Sequence, residues 1–161
     1  MDAVKAGSED LKGVQALLDY YSLKGVLTPR TVKYVTEHLS EFVVCKRDGA
    51  VVGCCALHRV SDGTAEVRCF AVKEDSSGMG VGKILLDFCL QEAKAAGLKR
   101  VFTLTLEGEF FKKSGFTKMS KLKIPLPTFR NEPEFNAIKM LRWLVLFLKM
   151  ISTESAYEIR L

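Results

Sequence analysis

The sequence predicts an α/β (α+β) fold, a mixed, mostly antiparallel twisted sheet of about seven strands with helices on both faces. Three observations predict it. Apolar residues recur at helical spacing in some segments and alternate in others, in the order β-α-α-β-β-β-α-β-α-β-α-β. Two Asp-Gly turns, Asp48-Gly49 and Asp62-Gly63, separate three successive extended runs. A glycine-rich stretch then joins the last of these runs to a long amphipathic pattern. With 161 residues, 48% of them hydrophobic, the chain suffices for one domain over 1–161.

The elements follow in order. Residues 3–6 are a short strand. Ser8 suits a helix N-cap, with Glu9 and Asp10 in the first turn. Leu11, Val14, Leu17, Leu18 and Tyr21 mark one face of that helix. A loop through Gly25 and Pro29 leads to a second short helix over about 31–38. Strands over 41–47, 50–60 and 64–72 follow. Along the third, alternation puts Glu66, Arg68, Phe70 and Val72 on one face, and Ala65, Val67, Cys69 and Ala71 on the other. The long helix runs to about residue 96, and Gly97 stops it. A strand over 100–105, a short helix over 109–114 and a strand over 116–124 come next. A loop over 126–133, a hydrophobic helix over 134–151 and a closing strand over 156–161 complete the chain.

Composition excludes several function classes. The net charge of +5 suits an anionic partner. No run of five basic residues occurs and no aromatics interleave with basic ones, so no nucleic-acid partner is expected. The longest apolar tract, 141–151, is broken by Arg142 and Lys149 and is too short to cross a bilayer. Cysteines stand at 45, 54, 55, 69 and 89, none in a C-x-x-C pair. They read as small buried hydrophobes in a reducing compartment, with no metal ligand set among them. The start Met1-Asp2-Ala3 has no apolar signal core, and the expected location is cytoplasmic.

The strongest chemical feature is the sequence strand, glycine loop, helix. Ser76-Ser77-Gly78-Met79-Gly80-Val81-Gly82 places three alternate glycines at a helix start, followed by Lys83. Backbone amides and the helix dipole can there converge on a pyrophosphate, although a plain glycine turn has the same look. The loop lacks the G-K-[ST] of a Walker A motif, and it follows a hairpin rather than the first strand of a βαβ unit.

The segment from Ala65 to Thr105, followed by Glu109-Phe110-Phe111-Lys112-Lys113-Ser114-Gly115-Phe116, resembles the acetyl-CoA core of the GNAT acetyltransferases. Ser77–Gly82 matches that family's Q/R-x-x-G-x-G/A loop, and Phe111–Phe116 matches its aromatic-x-K-x-G-F box. A narrower likeness, carried by 25–31, 51–58, 65–72 and 99–105, is to the acetyltransferase domain of N-acetylglutamate synthases and their short, kinase-less relatives. The resemblance implies acetyl-CoA as cosubstrate, held by Phe70, Ala71, Val72, Ser77, Gly78, Met79, Gly80, Val81, Gly82, Lys83 and Phe111. It implies acetylation of the α-amine of a small amino acid such as glutamate, as in arginine biosynthesis. Arg30 and Arg68 match the positions that hold the acceptor's carboxylates, and a guanidinium fork suits that task. An ion pair between Arg68 and Glu66 is the competing structural reading.

Two positions depart from the family pattern. Ser77 replaces a long Gln or Arg donor, and Phe111 stands where many members place a tyrosine that protonates the leaving thiolate. By the resemblance, an amide of the strand carrying Phe70, Ala71 and Val72 stabilises the oxyanion. Glu66 is the candidate base, acting through water, and His58 is the alternative. Transfer to another amine and a non-catalytic CoA-binding module stay open as functions. The 134–151 helix, with Trp143 and Phe147, carries more apolar surface than one face of a small domain buries. A homodimer contact is the expectation, with packing beside the cleft or on a membrane surface as alternatives.

Overall fold

The computed structural model describes residues 1–120 and 155–161. The loop expected over 126–133, the helix over 134–151 and the end of the strand reaching 124 lie outside the described residues. Among those described, β1 (Ala3–Lys5), β2 (Phe42–Arg47), β3 (Ala50–Ser61), β4 (Thr64–Val72), β5 (Arg100–Thr105), β6 (Thr117–Met119) and β7 (Ser155–Arg160) form one sheet. Its order is β1-β2-β3-β4-β5-β7-β6. All pairs are antiparallel except β4 with β5. The helices are α1 (Leu11–Leu23), α2 (Val32–Glu37), α3 (Val81–Ala95) and α4 (Gly108–Lys113).

Local chemistry explains the boundaries. Ser8 does not cap α1; it opens a 3-10 turn, Ser8–Asp10, and Asp10 occupies the cap position of the helix. The reason is that the Asp10 carboxylate bonds backward, accepting the Gly7 N–H at 3.0 Å while pairing with Lys46 at 2.7 Å. Thr31 caps α2 by accepting the Tyr34 N–H at 3.1 Å, an interaction that stabilises a helix by about 1 kcal/mol. The Asp48-Gly49 turn has positive φ at both residues, the primed geometry whose twist matches the strands it joins. Helix α3 ends in paired bonds, Leu98 N–H to Ala93 C=O and Gly97 N–H to Lys94 C=O, which close the last turn.

Two cores lie on opposite faces of the sheet. On one, Leu85, Leu86, Cys89 and Ala93 of α3 pack against Val43, Cys55, Ala65 and Val67. On the other, Val14, Leu17 and Leu18 of α1 and Tyr34 and Val35 of α2 cover Val44, Cys54, Ala56 and Ala71. Burying a leucine or valine side chain fully stabilises by about 1.5–3 kcal/mol, so both helical layers are held chiefly by these contacts.

Strict alternation fails within β4. Ala56 pairs with Arg68, but Cys54 pairs with Ala71, so β4 carries one extra residue between those two pairs. This is a β-bulge, and Cys69 sits in it at φ 54°. Ala65, Val67, Phe70 and Val72 therefore face α3, whereas Cys69 and Ala71 join Arg68 on the face of α1 and α2. The expectation that Arg68 and Phe70 share a face, with Cys69 opposite, is corrected by this inserted residue. Positive φ strains any side chain and a β-branched one most. Cys69→Val should lower stability by about 2 kcal/mol or more in urea unfolding, and Cys69→Gly by distinctly less. Equal stabilities of the two variants would show that the bulge carries no strain.

Candidate active site

The β4–β5 ladder is short. β4 and β5 pair only at Thr64–Arg100, Ala65–Val101 and Glu66–Phe102. Beyond Glu66 the two strands diverge, and residues 67–72 of β4 have no ladder partner on the β5 side among the described residues. Phe70, Ala71 and Val72 thus carry main-chain groups outside the β4–β5 ladder. Val72 C=O is taken by the Tyr21 hydroxyl at 2.5 Å, which ties the end of β4 to α1.

The glycine loop lies at the end of β4. Gly78 and Gly80 have φ of 77° and 81°, and Gly80 is the residue that starts α3. The first intrahelical bond runs from Ile84 N–H to Gly80 C=O, so the amides of Val81, Gly82 and Lys83 point out of the helix start with no side-chain cap. Exposed Ser77 and Met79 flank the turn. Nearby, Asp75 accepts the Ser76 hydroxyl at 2.7 Å and pairs with Arg47 at 3.4 Å, and these bonds pull the Asp75 carboxyl below its usual range. The Lys83 ammonium is 2.6 Å from Asp87 one turn along the helix. A Cβ on Gly82 would come within 3.3 Å of Phe110 and 3.5 Å of Phe70. The absence of a side chain there lets those two rings close on the helix start. Phe111, buried, stands edge-on to Phe70, Phe110 and Phe116 and has no proton to give.

The other predicted residues meet on the α2 face of β3 and β4. Gln15 holds the Arg30 carbonyl at 2.8 Å, placing that loop over α1. The Arg30 guanidinium lies 4.6 Å and that of Arg68 5.5 Å from the centre of the Tyr34 ring. His38 stacks on the same ring at 4.3 Å. His58 is half-buried, and its Nδ1 is 2.9 Å from Glu41 Oε2 and 3.0 Å from Oε1. Arg68 Nη2 lies 3.5 Å from the same Oε2. Glu66 is only 6% exposed and is the cross-strand partner of His58. Burial raises the Glu41 carboxyl, but the His58 hydrogen bond and the charges of His58, Arg68 and His38 outweigh it, leaving the group below the ordinary carboxylate range. Burial pushes the Cys69 thiol up despite the neighbouring Arg30 and Arg68, so it is a poor nucleophile.

Sequence reasoning missed Glu41, Tyr34 and His38. A signal existed for two of them, because Tyr34 and His38 stand four residues apart and so share one side of the short helix expected there. Glu41 had none: it ends a 3-10 turn, and only the sheet brings it to His58 and Arg68. Among the described residues no cluster of metal-ligating side chains occurs, and no helix is long and apolar enough to cross a membrane.

The chain is similar in sequence and fold to known proteins. The model of the acetyltransferase (GNAT) family matches residues 15–116. The chain is 34% identical to an amino-acid acetyltransferase of Mycobacterium tuberculosis over 128 residues, which are 78% of this chain and 73% of that one. Among solved structures, a Mycobacterium tuberculosis protein in complex with CoA superposes with a TM-score of 0.81 at 31% identity, over 100% of this chain and 99% of that one. The N-acetylglutamate synthase of Neisseria gonorrhoeae, complexed with coenzyme A and N-acetyl-glutamate, superposes with a TM-score of 0.82 at 28% identity over 99% of this chain. This chain spans 35% of that synthase.

Proposed function

The chain belongs to the GNAT family of acetyltransferases, and from that premise we propose that it moves an acetyl group from acetyl-CoA to the α-amine of a small amino acid, glutamate first. The observation that carries the acceptor is the pair of guanidiniums, Arg30 and Arg68, over one tyrosine ring beside the open edge of β4. Two such groups suit an acceptor with carboxylates, and a monoamine without them has nothing to place there. Its relatives support the reading, one being named an amino-acid acetyltransferase and one a synthase solved with N-acetyl-glutamate. The product would be the N-acetylated acid that feeds arginine biosynthesis.

The pyrophosphate rests on the amides of Gly78 to Lys83, where the loop and the helix dipole favour an anion. The pantetheine arm enters between β4 and β5, against Phe70 and Phe111. The acceptor amine attacks the thioester carbon, and charge growing on the carbonyl oxygen is met by an amide of the 70–72 edge. Glu66 takes the amine proton through water, since it stands four residues before Phe70 on β4. His58, held by Glu41 at 2.9 Å, is the alternative for this step. The C–S bond then breaks and the CoA thiolate takes a proton from solvent, because Phe111 cannot supply one. The raised Cys69 thiol argues for this direct transfer over an acyl-enzyme.

The test is acetyl-CoA turnover across amino acids, polyamines and an N-terminal peptide. Turnover of glutamate or its close analogues supports the proposal. Turnover of a polyamine alone would reassign the acceptor, and CoA binding without any turnover would make this a binding module.

A further inference from the structure

The peptide group at the end of β4 is held from two sides. Lys73 N–H donates to Val52 C=O at 2.8 Å. In the Gly53–Val72 pair the ladder bonds therefore run through the neighbouring residues, and the N–H and C=O of Val72 itself turn away from β3. They lie on the side where the β4–β5 ladder has already ended, at Glu66. The Tyr21 hydroxyl meets that C=O at 2.5 Å. The planar unit joining Val72 to Lys73 is thus pinned at its oxygen by α1 and at its nitrogen by β3, so it cannot turn.

Tyr21 stands in the last turn of α1, half-buried, with its ring edge-on to Tyr20 at 5.2 Å. Burial, and then the nearby Glu74 charge, pushes its hydroxyl up, which keeps it a donor. Lys24, one turn end further on, pairs with Glu74 and so joins the same two segments. That pair is exposed and weakened by water and salt, whereas the Tyr21 bond acts on the backbone itself. The segment so held leads straight into the glycine loop, through Ser76 N–H to Lys73 C=O at 3.0 Å and Ser77 N–H to Glu74 C=O at 3.1 Å.

A strand edge presents N–H donors in fixed directions only while its peptide planes are fixed. Beyond Glu66, β4 lacks the β5 bonds that ordinarily do this, and the tyrosine stands in for one of them. We propose that Tyr21 is a positioning residue for the thioester arm of the cofactor: by capping Val72 C=O it fixes the edge amides of Phe70 to Val72, Val72 N–H foremost, against which the amide-bearing arm of CoA lies. The inference rests on the functional reading above and deepens its cofactor half. The pyrophosphate, resting on Gly78 to Lys83, lies past the pinned unit, so Tyr21 bears on the arm and not on the nucleotide.

The test compares two probes by calorimetry. One is CoA; the other is 3′-phosphoadenosine 5′-diphosphate, which keeps the pyrophosphate and lacks the arm. Tyr21→Phe keeps the ring and removes the hydroxyl. It should weaken CoA about threefold to tenfold, the loss of one hydrogen bond's worth of order, and leave the nucleotide unchanged. In steady-state kinetics the KM for acetyl-CoA should rise by the same factor, with the acceptor's KM unmoved. Lys24→Gln breaks the other tie between the same segments and should change neither probe. Wild-type hydrogen exchange needs no substitution and serves should the Phe variant fail to fold: CoA should slow the Phe70–Val72 amides, and the nucleotide alone should not. Unchanged CoA affinity in Tyr21→Phe, equal weakening of both probes, an equal loss in Lys24→Gln, or equal protection by both probes overturns the inference alone. Failure of the wild type to bind CoA overturns it together with the proposed function.

Discussion

Arg68→Ala is expected to raise the KM for the amino-acid acceptor by roughly 30-fold to several thousand-fold, with the KM for acetyl-CoA nearly unchanged. The magnitude follows from leaving an acceptor carboxylate without its partner in a desolvated site, about 2–5 kcal/mol. The side chain is only 9% exposed and lies over Tyr34, so water replaces it poorly. Its removal also takes one of the positive charges from beside Glu41, which acts in the same direction. Arg30→Ala should act similarly but less, since Arg30 comes from a loop. Steady-state kinetics with both substrates varied reads the split. Parallel rises in the two KM values would make Arg68 a structural residue of the Glu41 pair and remove it from the acceptor site.

Gly80→Val is expected to abolish measurable CoA binding while the protein stays folded. Space is not the reason, because a Cβ at Gly80 would meet no atom within 4 Å. The backbone is the reason: φ is 81°, where a β-branched residue is strongly disfavoured. Valine would pull the residue back to negative φ and swing the first amides of α3 away from their common target. Calorimetry with CoA, beside a melting curve, checks this. Unchanged affinity would show that those amides do not hold the pyrophosphate.

Much of the fold was legible because its signals are local. The 3.6-residue period of Val14, Leu17 and Leu18 and the Asp48-Gly49 turn each need only neighbours to be read. So does the stop at Gly97. The boundaries of α3 and of β2, β3 and β4 fall within about two residues of those expected, the ordinary scatter of element ends. Ser8 misled because its type alone does not show that the Asp10 carboxylate bonds back to the Gly7 N–H.

The candidate site divides along the same line. The glycine loop is a run of adjacent residues whose conformational needs are written into their own chemistry, so its positive-φ turn at a helix start was legible from the sequence alone. The family resemblance singled out Arg30 and Arg68, and the structure places both guanidiniums beside the Tyr34 ring. Only the tertiary structure decided which way β4 presents its side chains beyond Arg68. The extra residue at Cys69 inverts the alternation, turning Phe70 toward the aromatic cluster and Cys69 toward the arginines. A bulge exists only in the register between two strands, and no count along one of them contains it. The meeting of Glu41 with His58 and Arg68 was decided in the same way. Those residues lie 17 and 27 positions apart in the chain, and it is the pairing of β2, β3 and β4 that brings their charges within reach of one another.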